Sequence, residues 1–344
     1  MAAQIPLKLA KILNQNQRNW LVTGGAGFIG SHLVESLLLH GQKVEVLDNL
    51  SSGKNENLAE IKRNVGAELY KNLKINFGDI RNIDDCLGAT ENIDFVLHHA
   101  AMGSVPSSID DPQLCHEVNT AGTLNMLRAS VKNKVKRFLY ASSASVYGDD
   151  PSLVKFENSQ PCVLSPYAAS KMANEMYAQS FHKSYGLETI GFRYFNVFGP
   201  RQDPNGAYAS VIPRWIHAIK ESRAIEIFGD GLQTRDFCAI DEIVQINMQA
   251  ALAENNQIVG QIFNVGLGKS ISLLKLKEII TEQVAVQFGA THEKVLFSDV
   301  RAGDIKHSKA SIAKAEEFLS YTPMLTVEEG LKKTISWYLS EQKS

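Results

Sequence analysis

Long apolar runs are missing from this 344-residue chain. No stretch approaches the ~18 consecutive apolar residues of a membrane span, so a membrane-embedded protein is not expected. Cysteine is scarce. Cys86, Cys115, Cys162 and Cys238 stand far apart with no C-x-x-C pair, which suits neither a zinc site nor a disulfide framework and fits reduced thiols in the cytoplasm. An excess of either charge is also absent. Lys+Arg number 35 against 37 Asp+Glu, a net −2, and this balance argues against a nucleic-acid binder. No repeat and no low-complexity linker interrupts the chain. In the first 19 residues Ile5, Leu9, Ile12 and Leu13 fall at helical spacing, but Lys8 and Lys11 break the unbroken apolar centre that a signal peptide needs. The spacing predicts an amphipathic leading helix packed on the main body.

What is present suits a large soluble enzyme. Apolar residues make up 44% and charged residues 21%, enough for an extensive core. The length corresponds to about two domains, or one domain with an appended lobe. Short apolar runs at Trp20–Thr23, Val44–Asp48, Ile75–Asp79, Phe95–His98, Phe138–Ser142 and Thr189–Arg193 read as strands. Helical patterns at Ile29–Leu39, about Leu114–Lys132 and Tyr167–Tyr185 separate most of them. Such alternation predicts an α/β fold with a doubly wound parallel sheet. After Asn196 the texture changes. A loop over Gly199–Gly206 precedes a helix at about Ile212–Lys220 and a turn at Gly229–Gly231. Asp236–Ile240 and Gln261–Val265 read as strands, and Ser272 onward as mostly helical. A second lobe interleaved with the first is expected.

The first strand runs directly into GGAGFIG and then an apolar helix. Gly24, Gly27 and Gly30, or Gly25, Gly27 and Gly30, match a dinucleotide fingerprint in the strand-to-helix context that gives the motif meaning. Glycines let the backbone approach a pyrophosphate, and the helix start at Phe28–Ile29 offers free N–H groups to it. Asp48 ends the second strand 18 positions after Gly30, followed by Asn49. An acidic residue there accepts from the ribose hydroxyls of NAD and repels the 2′-phosphate of NADP. Asp79 and Ile80 end the third strand, where the adenine end would lie; Asp79 could equally cap a helix over Asn82–Leu87.

Tyr167 and Lys171 lie four apart in YAASK and share a helix face. A neighbouring ammonium, with the positive nicotinamide, could lower the Tyr167 pKa from its ordinary ~10 toward neutrality. Ser143 closes the fifth strand, at the carboxyl end where doubly wound sheets keep ligands. His98-His99 has no partner at metal spacing, so packing near a strand end is expected and no metal.

TGGAGFIG, SSASVYG, YAASK and RYFNVFGPRQ together resemble the extended short-chain dehydrogenase/reductase family that acts on nucleotide sugars, over about Trp20 to Tyr338. The resemblance implies Ser143, Tyr167 and Lys171 as the catalytic triad, with Ala100 and Asn119 beside the cofactor. It implies an NAD-binding Rossmann domain of 1–197 plus about 236–266, the leading helix being 1–19. A UDP-sugar-binding lobe of about 198–235 plus 267–344 completes it. It also implies a homodimer through the helices near Leu114–Lys132 and Tyr167–Tyr185, although the same chain could equally cover them.

Chemistry separates the family's branches. Its 4,6-dehydratases carry Asp-Glu directly after the serine, and its decarboxylases a Glu at the position of Ser145. Ala144 and Ser145 are neither acid nor base, which leaves a 4-epimerase. HHAAMGSVPSSIDDP and FGPRQDPNGAY most resemble the UDP-N-acetylglucosamine 4-epimerase branch, implying substrate contacts from Gly103 and Ser104. Hexose-type enzymes carry Lys at Gly103 and a bulky Tyr at Ser308, so a small Ser308 leaves room for an N-acetyl group. Asn196, Arg235, Arg301 and Asp304 are implied for the nucleotide. Arg201 and Arg223 are as readily surface ion pairs. Epimerases of UDP-N-acetylhexosaminuronates or of UDP-glucose and UDP-galactose, and a non-catalytic NAD-binding regulator, are the alternatives.

Overall fold

A computed structural model describes residues 2–204, 210–289, 294–299 and 305–340. The chain opens with α1 (Leu7–Gln15), β1 (Asn19–Thr23), α2 (Phe28–Leu39) and β2 (Lys43–Asp48). Next come α3 (Asn55–Tyr70), β3 (Leu73–Phe77), α4 (Ile83–Ala89), β4 (Phe95–His98), α5 (Val105–Asp110) and α6 (Pro112–Cys115). A π-helical stretch, His116–Ala121, leads into α7 (Gly122–Lys132), then β5 (Arg137–Ser143), α8 (Pro166–Tyr185), β6 (Glu188–Tyr194) and β7 (Asn196–Phe198). They are followed by α9 (Val211–Lys220), β8 (Ile225–Phe228), β9 (Thr234–Arg235), β10 (Phe237–Ala239), α10 (Ile240–Leu252) and β11 (Gln261–Val265). The last elements are β12 (Ile271–Ser272), α11 (Leu273–Phe288), β13 (Val295–Ser298), α12 (Ala313–Leu319) and α13 (Val327–Ser340).

Seven strands form the central sheet in the order β11-β6-β5-β4-β1-β2-β3, and every pairing in it is parallel. The order reverses at β1, between β4 and β2, which is the switch point where open α/β sheets bind ligands. The strands are apolar because helices cover both faces: Trp20, Val22, Phe95, Leu97, Leu139 and Phe192 are all buried. A separate apolar cluster of Trp215, Ile216, Ile227, Leu276, Ile280 and Leu331 joins α9, β8, α11 and α13.

Gln261–Val265, within the 236–266 segment expected in the Rossmann domain, is the seventh strand of the main sheet, beside β6. Several expectations change. The strand expected over Asp236–Ile240 is shorter, because Ile240 already begins α10. Leu114–Lys132 is not one helix but α6, the π-helical stretch and α7. The stretch after Ser272 holds a strand, β13, paired in parallel with β8. In α1, Leu9 and Leu13 are buried as expected, but Ile12 is 38% exposed.

Candidate active site

The glycine loop between β1 and α2 has room for nothing larger at two positions. Gly24 sits at φ +70°, and a Cβ on Gly30 would come within 2.1 Å of the Gly24 carbonyl oxygen. Gly27 caps α2 without any side-chain hydrogen bond. The first-turn N–H groups near Phe28 and Ile29 are thus free of side-chain caps, as a pyrophosphate requires. Asp48 is buried, and its carboxylate accepts from Ala26 N at 2.9 Å and Leu50 N at 2.8 Å. Each oxygen keeps a lone pair for a ribose hydroxyl. These residues fit an adenine dinucleotide.

Asn49 and Asp79 meet at the ends of β2 and β3, with Asn49 Nδ2 donating to Asp79 Oδ2 at 2.8 Å. Asp79 caps no helix: Asn82 caps α4. Its carboxylate is held down at about 2, mainly by hydrogen bonds from Arg81, a partner the sequence reading did not name. Ile80 is buried against Gly122. Ala100 lies against Gly24, and its N–H donates to Thr23 Oγ1 at 3.1 Å.

His98 belongs to a buried chain of hydroxyls. Thr123 Oγ1 gives its proton to the Asn119 carbonyl at 2.6 Å, so it accepts from His98 Nε2 at 2.9 Å. His98 Nδ1 therefore accepts from Thr23 Oγ1 at 2.8 Å. Burial, aided by the Lys171 charge, lowers the His98 pKa to about 3, so the ring is neutral. His99 Nε2 pairs with the Tyr194 hydroxyl at 3.0 Å. Among the described residues no three His, Cys, Asp or Glu gather as a metal site. Asn119, in the π-helical stretch, accepts from Met102 N at 2.8 Å and donates to Ser170 Oγ at 3.0 Å. It thereby joins the β4 loop to α8.

Ser143, at the end of β5, and Tyr167 and Lys171, on α8, come together. Lys171 Nζ lies 5.7 Å from the centre of the Tyr167 ring and donates to the Ala141 carbonyl at 2.9 Å. Burial lowers the Lys171 pKa to about 8. Burial also raises the Tyr167 pKa above its ordinary value, while a hydrogen bond with Ser143 pulls it down. The lowering is expected from Lys171 together with a positive nicotinamide; the protein's own groups leave this pKa raised.

A cleft of about 550 Å³ opens beside this group. Gly103, Ser143, Tyr167, Asn196, Arg235 and Ser308 all line it, and so do Arg214, Glu226 and Phe228, which the sequence reading did not single out. The signal for the last three was the helix-loop-strand around Gly229, whose pairing with β13 was not visible. Arg214 lies 5.5 Å over the Phe228 ring and 3.6 Å from Glu226. Ser104 does not line the cleft; it caps α5 by accepting from Ser107 N at 3.1 Å. Ser308 is only 9% exposed, and Ile312 caps α12, so Ser308 is not a helix cap. Arg301 and Asp304 lie outside the described residues. Arg201 is no surface pair but is buried against Glu35 and Glu60, whereas Arg223 pairs with Glu221 at the surface.

Residues 20–266 match the model of the NAD dependent epimerase/dehydratase family. The chain is similar to the UDP-glucose 4-epimerase of Mycolicibacterium smegmatis, 36% identical over 94% of this chain and 99% of that protein. It also resembles the UDP-glucuronate 4-epimerase of Thermodesulfobacterium geofontis, at 34% identity over 92% and 95%. Among solved structures it is similar to a UDP-N-acetylglucosamine 4-epimerase from Methanobrevibacter ruminantium in complex with UDP-N-acetylmuramic acid. That match has 40% identity and a TM-score of 0.86 over 95% of this chain and 99% of that one. The glycine loop, Asp48 and the Ser143–Tyr167–Lys171 group accord with these likenesses, and the chain belongs to the NAD dependent epimerase/dehydratase family as an NAD-dependent isomerase of the nucleotide-sugar 4-epimerase class.

Proposed function

We propose that this enzyme interconverts UDP-GlcNAc and UDP-GalNAc through a 4-keto sugar. The observation that carries the choice is the small lining of the cleft. Ser308 is a wall residue with only a hydroxymethyl side chain, and a Cβ added at Gly103 meets nothing within 4 Å. That space suits an N-acetyl group at C2. The lining residues from α5, β5 and α8 carry no charged side chain among those described, and Arg214, Glu226 and Arg235 come from α9, β8 and β9. A uronate carboxylate would want a cation beside the sugar, so the lining favours a neutral hexosamine.

In this reading Tyr167 takes the proton of the sugar's C4 hydroxyl, Ser143 hydrogen-bonds the same oxygen, and Lys171 supplies positive charge beneath the phenol ring. NAD, when bound, would supply the hydride acceptor and a positive charge that opposes the rise burial imposes on the Tyr167 pKa. Gly24, Gly27 and Gly30 admit its pyrophosphate, and Asp48 holds its ribose. Asn119 keeps the β4 loop and α8 in register. Asn196 and Arg235 hold the nucleoside diphosphate, the guanidinium suiting a diphosphate geometrically. Tyr167→Phe keeps the ring and removes the acceptor, so kcat falls by at least ~10²-fold with substrate binding retained; near-normal turnover rejects the assignment. Comparing kcat/KM for UDP-GlcNAc, UDP-glucose and UDP-N-acetylglucosaminuronate tests the substrate, and preference for either of the latter two overturns it.

We also infer a cytoplasmic homodimer. On α8, Met176 is 63% exposed and Tyr177 beside it is exposed as well, apolar surface that a second copy would cover. Light scattering on the purified protein tests it, and a monomer removes the proposal.

A further inference from the structure

Ser143 has a neighbour that the catalytic group does not include. Ser145 stands on a short 3-10 turn, Ala144–Tyr147, directly after β5. Its backbone N–H donates to Ser143 Oγ at 3.1 Å, and its own hydroxyl donates to the same oxygen at 2.9 Å. A serine oxygen has two acceptor lone pairs and one proton. Both lone pairs of Ser143 are therefore taken from one side, and only its proton remains free, on the side of the cleft that Tyr167 also lines.

We propose that Ser145 is a positioning residue for the 4-epimerisation, one that makes Ser143 a one-way hydrogen-bond donor toward the Tyr167 oxygen and the sugar's C4 oxygen. The inference rests on the roles given above to Ser143 and Tyr167. Donors in series polarise one another, so the Ser145 hydroxyl strengthens the bond Ser143 makes to a phenolate. No proton travels along the pair. Tyr167 gains the C4 hydroxyl proton and later returns it, while Ser143 and Ser145 keep theirs.

The surroundings of Tyr167 make this readable. The titratable groups facing it among the described residues are Lys171 on its own helix and Cys115 from α6. His98 and His99 on β4 stand near Lys171 and are neutral at working pH, held to about 3 and about 4 chiefly by burial. None of these changes when Ser145 is altered. Without the Ser145 hydroxyl the phenolate is less well held, so its ionisation moves to higher pH.

The test is a pair of pH profiles, kcat and kcat/KM, for the holoenzyme and its Ser145→Ala and Ser145→Thr variants, with the UDP-sugar the wild type turns over fastest. For Ser145→Ala, kcat at pH 7 is expected to fall about three- to tenfold, the worth of one hydrogen bond. The acidic limb should move up by about half to one pH unit, with KM changed less than about twofold. Ser145→Thr, which keeps the hydroxyl, should restore both. An unmoved acidic limb with a raised KM makes Ser145 a substrate contact and overturns the proposal, as does a Thr variant as impaired as Ala. Tyr167→Phe is run alongside: if it remains active, the fault lies in the base assignment and not in Ser145.

Discussion

In the proposed reading, single side chains decide which sugar enters and which group takes the proton. Ser308, which lines the cleft, is the specificity position that this reading names. Its N–H is fixed by the Thr234 carbonyl at 3.1 Å, its backbone is tied into the wall, and only its hydroxymethyl group limits the cleft. Ser308→Tyr pushes a ring into that space. Overpacking costs about 1–3 kcal/mol, or roughly one to two decades in kcat/KM. The loss should fall on UDP-GlcNAc and UDP-GalNAc, with UDP-glucose and UDP-galactose turned over at least as well as before. Measuring all four substrates decides it, since a uniform drop removes Ser308 from the sugar site. At this scale much was legible in the sequence: Gly24, Gly30, Asp48, Ser143, Tyr167 and Lys171 stand in motifs whose chemistry dictates their order. Less visible were groups whose importance comes only from contact, such as Arg81 against Asp79 and Ser145 against Ser143.

The elements explain how those groups are held. Tyr167, Lys171 and Glu175 follow one another at four-residue intervals along one face of α8. Glu175 is buried and bonds Ser142 at 2.5 Å and Arg193 at 2.9 and 2.8 Å. It thus pins α8 to β5, one residue before Ser143, and to β6, three residues before Asn196. Glu175→Gln leaves the Arg193 guanidinium buried and half-paired. Breaking one side of a buried pair costs about 3–5 kcal/mol, which denaturant unfolding should show. Arg193→Met on top of Glu175→Gln should recover part of that loss, because no charge then remains unpaired. Elements that the sequence hid were those with weak patterns. The helix α3 buries only Asn57, Leu58, Glu60, Ile61 and Val65 of its 16 residues and holds Gly66 at φ 78°. The strand β13 leaves Leu296 and Phe297 exposed, so alternation gives no signal. The π-helical turn around Asn119 exists because backbone bonds are redistributed there, and no residue pattern announces it.

At the scale of the molecule, two apolar clusters must be held together across the cleft, and polar groups do much of it. Glu242, at the start of α10, accepts from Met324 N and Leu325 N at 2.9 Å each, while its second oxygen is buried without a hydrogen bond. Burial raises its pKa from 4.5 to about 7. A carboxyl raised on folding destabilises the protein once ionised: the cost is absent below about pH 4.5 and complete above about pH 7. Glu242→Gln keeps an acceptor for both N–H groups and removes the charge. It should raise the melting temperature at pH 8 and leave it nearly unchanged at pH 4.5, and equal effects at the two pH values would contradict the assignment. The N-terminal segment is a second tie. Leu9 and Leu13 bury into the main core, and Gln42 Nε2 donates to the Leu13 carbonyl at 2.8 Å while its Oε1 accepts from Trp20 Nε1 at 3.0 Å. Further back, Gln4 N donates to Asp241 Oδ1 at 2.7 Å, the oxygen that also pairs with Lys333 of α13. The segment therefore runs from the α10–α13 contact to the N-terminal ends of the interior strands β1 and β2, and none of its described residues lines the cleft. Deleting residues 2–16 removes two buried leucines but also the entropy cost of ordering the whole segment, so the two effects oppose each other and the deletion is not a clean test. Leu13→Ala avoids that offset and should cost about 2–5 kcal/mol. Leu13→Ala should melt below the wild type and keep kcat and KM at 25 °C. A variant that melts normally shows that the tie contributes nothing, and a fall in kcat without a fall in melting temperature shows that the segment acts on the cleft instead of on the joint between the clusters.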